Sequence, residues 1–393
     1  MVPILVLALT LTGCASTANR NHTQPDPRDT LRIATFNIAM GREAAGALSR
    51  ALASGDDPRL RQLASIVQTV RPDILLLNEF DYDPGIDAPA LLNDRYLAIA
   101  AAGQTPIRYP YAFRAAVNTG IDSGRDLDRD GRTGDPGDAW GFGHFPGQYG
   151  MLLLSRHPID EASVRTFQRF PWHHLPDAHR PQHPPGTNFH TDAVWRTLRL
   201  SSKSHWDVPV MIGERTLHVL AFHPTPPVFD GPEDRNGRRN YDEIRFWAEY
   251  LDSSNGFSPI DDAGISGGLA ATADFVILGD FNADPNDGDS LPGAIGQLID
   301  HPRIDASCVP RSTGAVIAAR SQGGVNHRQT GEAAADTADF NDQRTGNLRL
   351  DHVLPARGLN VKDCGVFWPA PGEPGDEAIT VSDHRLVWLD IFW

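Results

Sequence analysis

Phe275-Val276-Ile277-Leu278-Gly279-Asp280-Phe281-Asn282 carries the densest information in the chain. Four large apolar residues in a row, two of them β-branched, read as a short strand covered on both faces. A glycine follows, then a carboxylate and an amide two positions apart. Strands that fix geometry and loops that deliver polar groups are how open sheets present chemistry. The same pattern recurs outward from this stretch. Residues 74–77 are a fully apolar run ending at Asn78-Glu79, and residues 31–38 form a β-branched and apolar run with Asn37 near its end. Residues 217–222 precede His223, residues 350–354 contain Asp351, and residues 386–391 follow Asp383-His384. Residues 149–155 and 193–200 read as further strands. Helical spacing is clear in two places. Pro58 opens a pattern with Leu60, Leu63, Val67 and Val70 on one face, stopped by Arg71-Pro72-Asp73, and residues 241–251 carry Ile244, Ala248 and Leu251.

The chain has 393 residues and a formal net charge of -15. Such a surface repels polyanions at long range, which counts against a general nucleic-acid binder but not against a cleft whose field a bound cation reverses. No internal repeat or clear linker divides residues 31–393, so they read as one domain, loop-rich over 81–147 and with a long surface insertion at 166–192. Strands mixed with few helices suggest an α+β or α/β sandwich. Residues 4–11 are an apolar run too short to span a bilayer. It leads into Leu11-Thr12-Gly13-Cys14, which resembles a bacterial lipoprotein signal, so residues 1–14 are expected to be an address with Cys14 lipidated. Residues 15–30 read as a tether. The expected location is outside the cytoplasm, lipid-anchored in the cell envelope. Cys308 and Cys364 then remain, and two cysteines in an exported chain are expected to pair.

Asn37, Glu79, His223, Asp280, Asn282, Asp351, Asp383 and His384 all stand where apolar runs begin or end. Their carboxylate and amide oxygens are hard ligands suited to Mg²⁺, Mn²⁺ or Ca²⁺ rather than zinc. Phosphate-ester hydrolysis needs neutralised phosphoryl charge, a placed water and a proton acceptor, and a histidine oriented by a carboxylate can serve the last role. Neighbours in a regular strand point to opposite faces, so Asp383 and His384 reach one site only from a loop or a strand start.

Six short motifs stand in order along the chain: Thr35-Phe36-Asn37, Leu77-Asn78-Glu79, residues 150–156, Gly279-Asp280-Phe281-Asn282, Leu350-Asp351-His352-Val353 and Ser382-Asp383-His384-Arg385. Together they resemble the endonuclease/exonuclease/phosphatase superfamily over residues 31–393. The resemblance implies a four-layer α/β sandwich with two central mixed β-sheets. It implies in-line attack of a metal-associated water on a phosphate ester, with Mg²⁺ or Mn²⁺ as the catalytic ion. Glu79 would hold that metal, assisted by Asn37, and Asp383 would orient the site or touch a metal. Asp280 and Asn282 would position or activate the water. His384 would pair with Asp351, and His223 would stabilise phosphoryl oxygens. Whether Asp280 or His384 takes the proton stays open. Some members carry a carboxylate two positions after the first asparagine, where Ala39 stands here. The acidic chain leans toward small phosphate esters, as a phosphatase or phosphodiesterase. A secreted nuclease acting on nucleic acid is the alternative, and a lipid-anchored binding protein on a disabled enzyme fold is the second.

Asp126, Asp128 and Asp130 ahead of Gly131 have calcium-loop spacing, although Gly137 replaces the usual twelfth-position glutamate. Asp135 or Asp138 could substitute. Arg235, Arg238 and Arg239 either bind substrate phosphate or pair with neighbouring acids as a solvated helix start. His173, His174, His179, His183 and His190 show no firm ligand spacing and read as a loop wall anchored by Phe170 and Trp172. Lys203 and His205 either reach the cleft or cover it.

Overall fold

The computed structural model describes residues 30–101, 103–252 and 256–393. The signal-like segment with Cys14, and the tether up to residue 29, lie outside the described residues; Thr30 already opens the first strand.

Two mixed sheets form the centre. The first orders its strands Asn360–Phe367, Leu386–Phe392, Thr30–Asn37, Ile74–Asn78, Met151–Ser155 and Tyr111–Phe113. Only Thr30–Asn37 and Ile74–Asn78 pair in parallel there. The second runs Asp351–Pro355, Asp274–Asp280, Arg215–Phe222, His205–Ile212 and Arg165–Thr166, with one parallel pair between Arg215–Phe222 and Asp274–Asp280. Strands Thr30–Asn37 and Asp274–Asp280 lie against each other across the interface.

The layers follow from side-chain alternation. Successive strand residues point to opposite faces, so an all-apolar strand needs cover on both sides. Ile33, Ile74, Leu76, Met151 and Leu153 join the core between the sheets. Their neighbours Ala34, Phe36, Leu75, Leu77, Leu152 and Leu154 pack outward on Leu60, Leu63, Ile66 and Val67 of helix Pro58–Val70. Each such buried side chain contributes about 1.5–3 kcal/mol. The helix begins where Asp57 accepts hydrogen bonds from the Arg59 and Leu60 amides. It ends at Arg71 in the left-handed region, one residue before Pro72. Helix Arg235–Leu251 covers the other sheet through Phe246, Trp247 and Tyr250. The result is the expected four-layer α/β sandwich with two mixed sheets.

Three sequence expectations change. Residues 193–200 form no strand: Thr191 caps a helical turn, Asp192–Trp195, by accepting from the Val194 amide. That cap outweighs the β preference of Val194. Strand His205–Ile212, which carries Pro209, has no counterpart among the strands read from the sequence. The proline is tolerated because, beyond Trp206 and Asp207, this flank meets residues 158–160, where the Pro209 carbonyl accepts from the Asp160 amide at 3.0 Å and the missing N–H is not called on. The segment 166–192 is not a surface excursion, since Phe167 and Leu175 are buried in the main core alongside Phe170 and Trp172. The expected Cys308–Cys364 disulfide is present.

Candidate functional site

Strand pairing places the polar strand ends together. Asn37 is the register partner of Asn78, one residue before Glu79, and Asp280 is the register partner of Asp351. Because the two sheets face each other, both pairs come to the same rim. The loops leaving these strands are sharply bent. Ala39, Glu79, Tyr149 and Asn282 all have positive φ without being glycine, a conformation that costs free energy and clusters at functional sites.

The centre of the constellation is Asp280 Oδ2. The Asn37 amide donates to it at 2.9 Å and to Glu79 Oε1 at 3.2 Å. His223 Nε2 lies 3.3 Å from it and His384 Nε2 3.7 Å. Asn282 donates its backbone N–H to Asp280 Oδ1 at 2.9 Å and its side-chain amide to the Pro224 carbonyl at 3.1 Å. On its other side, His384 Nδ1 meets Asp351 Oδ2 at 2.8 Å, and that oxygen also accepts from the Thr337 hydroxyl at 2.8 Å. Asp383 is exposed at the edge of the group. Next to it, Ser382 donates to the Asn37 carbonyl and accepts from the His384 amide, which fixes the strand start from which His384 reaches inward.

Electrostatics sort the titratable groups. Burial opposes charge on His384, but the Asp351 and Asp280 carboxylates prevail and hold its pKa up at about 10. It is an imidazolium at neutral pH. Burial, aided by the Lys203 charge, lowers His223, so that ring is neutral. Burial works against ionised Asp280 too, yet His384, His223 and Asn37 hold it well below the usual carboxylate range. Asp351 is pushed up to about 6, chiefly by burial.

This donor set fits a hard divalent cation. Glu79 and Asp280 both present oxygens to one amide nitrogen of Asn37, so a single ion can reach both. As oriented, the Asn37 amide oxygen is taken by the Ala39 N–H at 3.0 Å, which makes this side chain a holder of the two carboxylates. Asp280, Asp351 and His384 also lie close enough to chelate. The hydrogen bond at Nδ1 and the charge on the ring argue for an oriented imidazolium there instead. With Glu79, Asp280 and Asp351 against one imidazolium, the metal-free rim is net negative and would repel a phosphate.

Several participants were not legible beforehand. Thr337 lies in the segment 302–339, which carries no pattern. Asn78 accepts the Asp280 N–H at 3.2 Å. From helix Arg235–Leu251, Asn240 donates to the Thr225 and Phe281 carbonyls at 2.9 Å each, and Glu243 accepts from Ser202 and Thr225 amides at 2.6 Å each. They brace the loops that carry His223 and Asp280. Two polar residues on the apolar side of a helix were the available signal.

The other candidates separate. Arg235 pairs with Glu233. Arg238 donates to the Arg180 carbonyl at 3.4 Å. Arg239 spends its donors on the carbonyls of Leu200, Trp140, Ser201 and Arg199. None of the three extends a donor toward Asp280; Arg235 pairs with an acid, as expected of a helix start, whereas Arg238 and Arg239 bond backbone carbonyls. His205 is buried between Ser201 and the Glu243 carbonyl and covers the core. Asp126, Asp128 and Asp130 do converge, with oxygens within 4.8 Å of one another. Asp138 does not join them, because its two oxygens accept from the Leu127 and Gly134 amides.

The Endonuclease/Exonuclease/phosphatase family model matches residues 34–384, a span that contains every member of the constellation. The chain belongs to the endonuclease/exonuclease/phosphatase family. Family members are typically metal-dependent phosphoesterases or nucleases. No curated protein matches the chain by sequence. Solved structures similar to it include an endonuclease/exonuclease/phosphatase from Beutenbergia cavernae, at 20% identity and a TM-score of 0.49, covering 92% of this chain and 71% of that one. Sphingomyelinase C from Streptomyces griseocarneus is 16% identical with a TM-score of 0.48, over 92% and 99% of the two chains. TDP2 from Caenorhabditis elegans is 16% identical with a TM-score of 0.42, over 93% and 74% of the two chains.

Proposed function

We propose that this family member is a divalent-metal-dependent phosphoesterase acting on small phosphate esters. The observation that carries the reading is the convergence of Asn37, His223 and His384 on one oxygen of Asp280 beside Glu79. A Mg²⁺ or Mn²⁺ ion held by Glu79 and Asp280 would supply neutralisation of phosphoryl charge. The chain's own groups account for the rest. Charged His384, oriented by Asp351 and Thr337, faces the phosphoryl oxygens, and neutral His223 donates a hydrogen bond to them. Asn282 and Asp280 position the attacking water. Ionised Asp280 accepts the water's proton, and charged His384 gives its own to the alcohol oxygen as the phosphorus–oxygen bond to the alcohol breaks.

The test is hydrolysis of a chromogenic phosphate monoester and diester with defined metals. Turnover should vanish with chelator, return with Mg²⁺ or Mn²⁺, and fall by roughly 100-fold or more in Asp280→Asn. Activity that persists in chelator would overturn the proposal. Plasmid degradation faster than hydrolysis of either small ester would favour the nuclease.

On the same reading the chain is exported, which the Cys308–Cys364 disulfide supports, and is anchored through Cys14. The Asp126, Asp128 and Asp130 loop is then a place for calcium. Calorimetry of calcium with wild type and Asp128→Ala tests this, and no uptake by wild type refutes it.

A further inference from the structure

Next to the catalytic carboxylates lies a cavity of about 750 Å³ that shares Glu79 with them. This volume suits a small organic ligand. Leu127, Trp140, Trp172 and Leu198 supply apolar wall. Phe142 and Phe229 also line it, and they are the two most exposed large apolar side chains among the described residues, at 60% and 87%. Two such rings beside one cavity are a place for an apolar ligand group to leave water.

The charges in the cavity are mostly spent. Arg235 is paired with Glu233, Arg239 is consumed by backbone carbonyls, and Arg199 donates to Asn118 and lies over the Trp140 ring. Asp135 accepts from the Gly137 amide and Asp128 from the Asp130 amide. Lys203 is the exception. It is 6% exposed, it lines the cavity, and its ammonium has no hydrogen bond or ion pair among the described residues. Burial lowers its pKa, against the pull of the carboxylates within its electrostatic reach, Glu243 first, then Glu79 and Asp280. A buried cation without a partner is costly unless a ligand supplies the counter-charge.

We infer that this cavity binds the organic part of the substrate, that the substrate is a phosphate ester of a compact apolar alcohol or phenol, and that Lys203 contacts the phosphate where cavity and catalytic rim meet. The inference rests on the phosphoesterase reading and adds the substrate class to it. A polynucleotide fits the site poorly, because it needs a run of free cations along an open groove. Here Lys203 is the single unspent cation among the described residues, and much of the wall is apolar.

Binding of 1-naphthylphosphonate and of methylphosphonate, neither of which can be hydrolysed at a P–O–C bond, is measured by calorimetry in the presence of Mg²⁺. Quenching of tryptophan fluorescence gives a second readout, since Trp140 and Trp172 line the cavity. The naphthyl compound should bind at least roughly tenfold tighter, and the double variant Phe142→Ser/Phe229→Ser should erase most of that preference. Both rings are exposed, so this variant keeps the fold. Lys203→Met should weaken both phosphonates by roughly tenfold or more while leaving the protein at least as resistant to urea, because it removes an unpaired buried charge. Equal affinity for the two phosphonates, or tighter binding of a short single-stranded oligonucleotide, overturns the inference. If metal-dependent turnover persists in that case, the phosphoesterase reading survives alone. A naphthyl preference without any turnover overturns the phosphoesterase reading and leaves the apolar site standing.

Discussion

Asp336 is 6% exposed, and its Oδ2 has no hydrogen-bond partner among the described residues. Burial, then the nearby Asp284 and Asp287 carboxylates, raise its pKa from 3.8 to about 7. The folded protein therefore binds this proton more tightly than the unfolded chain does. The stabilisation is complete below the unfolded pKa and is lost as pH rises through about 7. Asp336→Asn stays neutral throughout. It is expected to match wild type near about pH 4 and to exceed it by up to about 4 kcal/mol near about pH 8.5, from roughly three pKa units at about 1.4 kcal/mol each. Urea midpoints at the two pH values check this, and a pH-independent difference would contradict it.

Among the elements, the strand end at Gly279 is tightly confined. A Cβ there would sit 2.1 Å from the Phe222 carbonyl oxygen. Gly279→Ala must push strands Arg215–Phe222 and Asp274–Asp280 apart just where they deliver His223 and Asp280. A loss of about 1–3 kcal/mol of stability is expected, together with a kcat loss of roughly tenfold or more from displaced catalytic groups. Thermal melts and steady-state kinetics measure the two, and wild-type kcat in the variant would show that the spacing is not needed. The disulfide acts at the same scale. Cys308 and Cys364 are 56 residues apart in sequence, and the bridge ties the segment bearing Thr337 to an edge strand of the first sheet. Loop-closure entropy puts its contribution at about 4 kcal/mol. Cys308→Ser should melt earlier by a corresponding margin while retaining turnover at room temperature, and an unchanged melt would exclude the entropic account.

At the level of the whole molecule, the charge of -15 opposes the approach of an anionic ester until the substrate is inside the cleft. Raising ionic strength from roughly 0.01 to 0.15 M shortens the screening length from about 30 to about 8 Å. The kcat/KM for a dianionic monoester should therefore rise with salt, with kcat unchanged. A fall would mean that the local field of Lys203 and the bound cation governs encounter instead.

The apolar runs at 74–77 and 275–278, the stop at Pro72 and the paired Asp383-His384 are local signals. They suffice for two doubly covered sheets and for locating most of the candidate site's side chains, because strand periodicity and helix capping depend on near neighbours. The role of Thr337, the bracing by Asn240 and Glu243 and the positive φ of Glu79 and Asn282 have no such local signature. Each depends on which loop lies against which, and long-range packing alone decides that. The cavity belongs to the same category. Its wall is assembled from residues between Glu79 and Arg239, and no local pattern records that Phe142 and Phe229 line it together or that Lys203 is left without a partner.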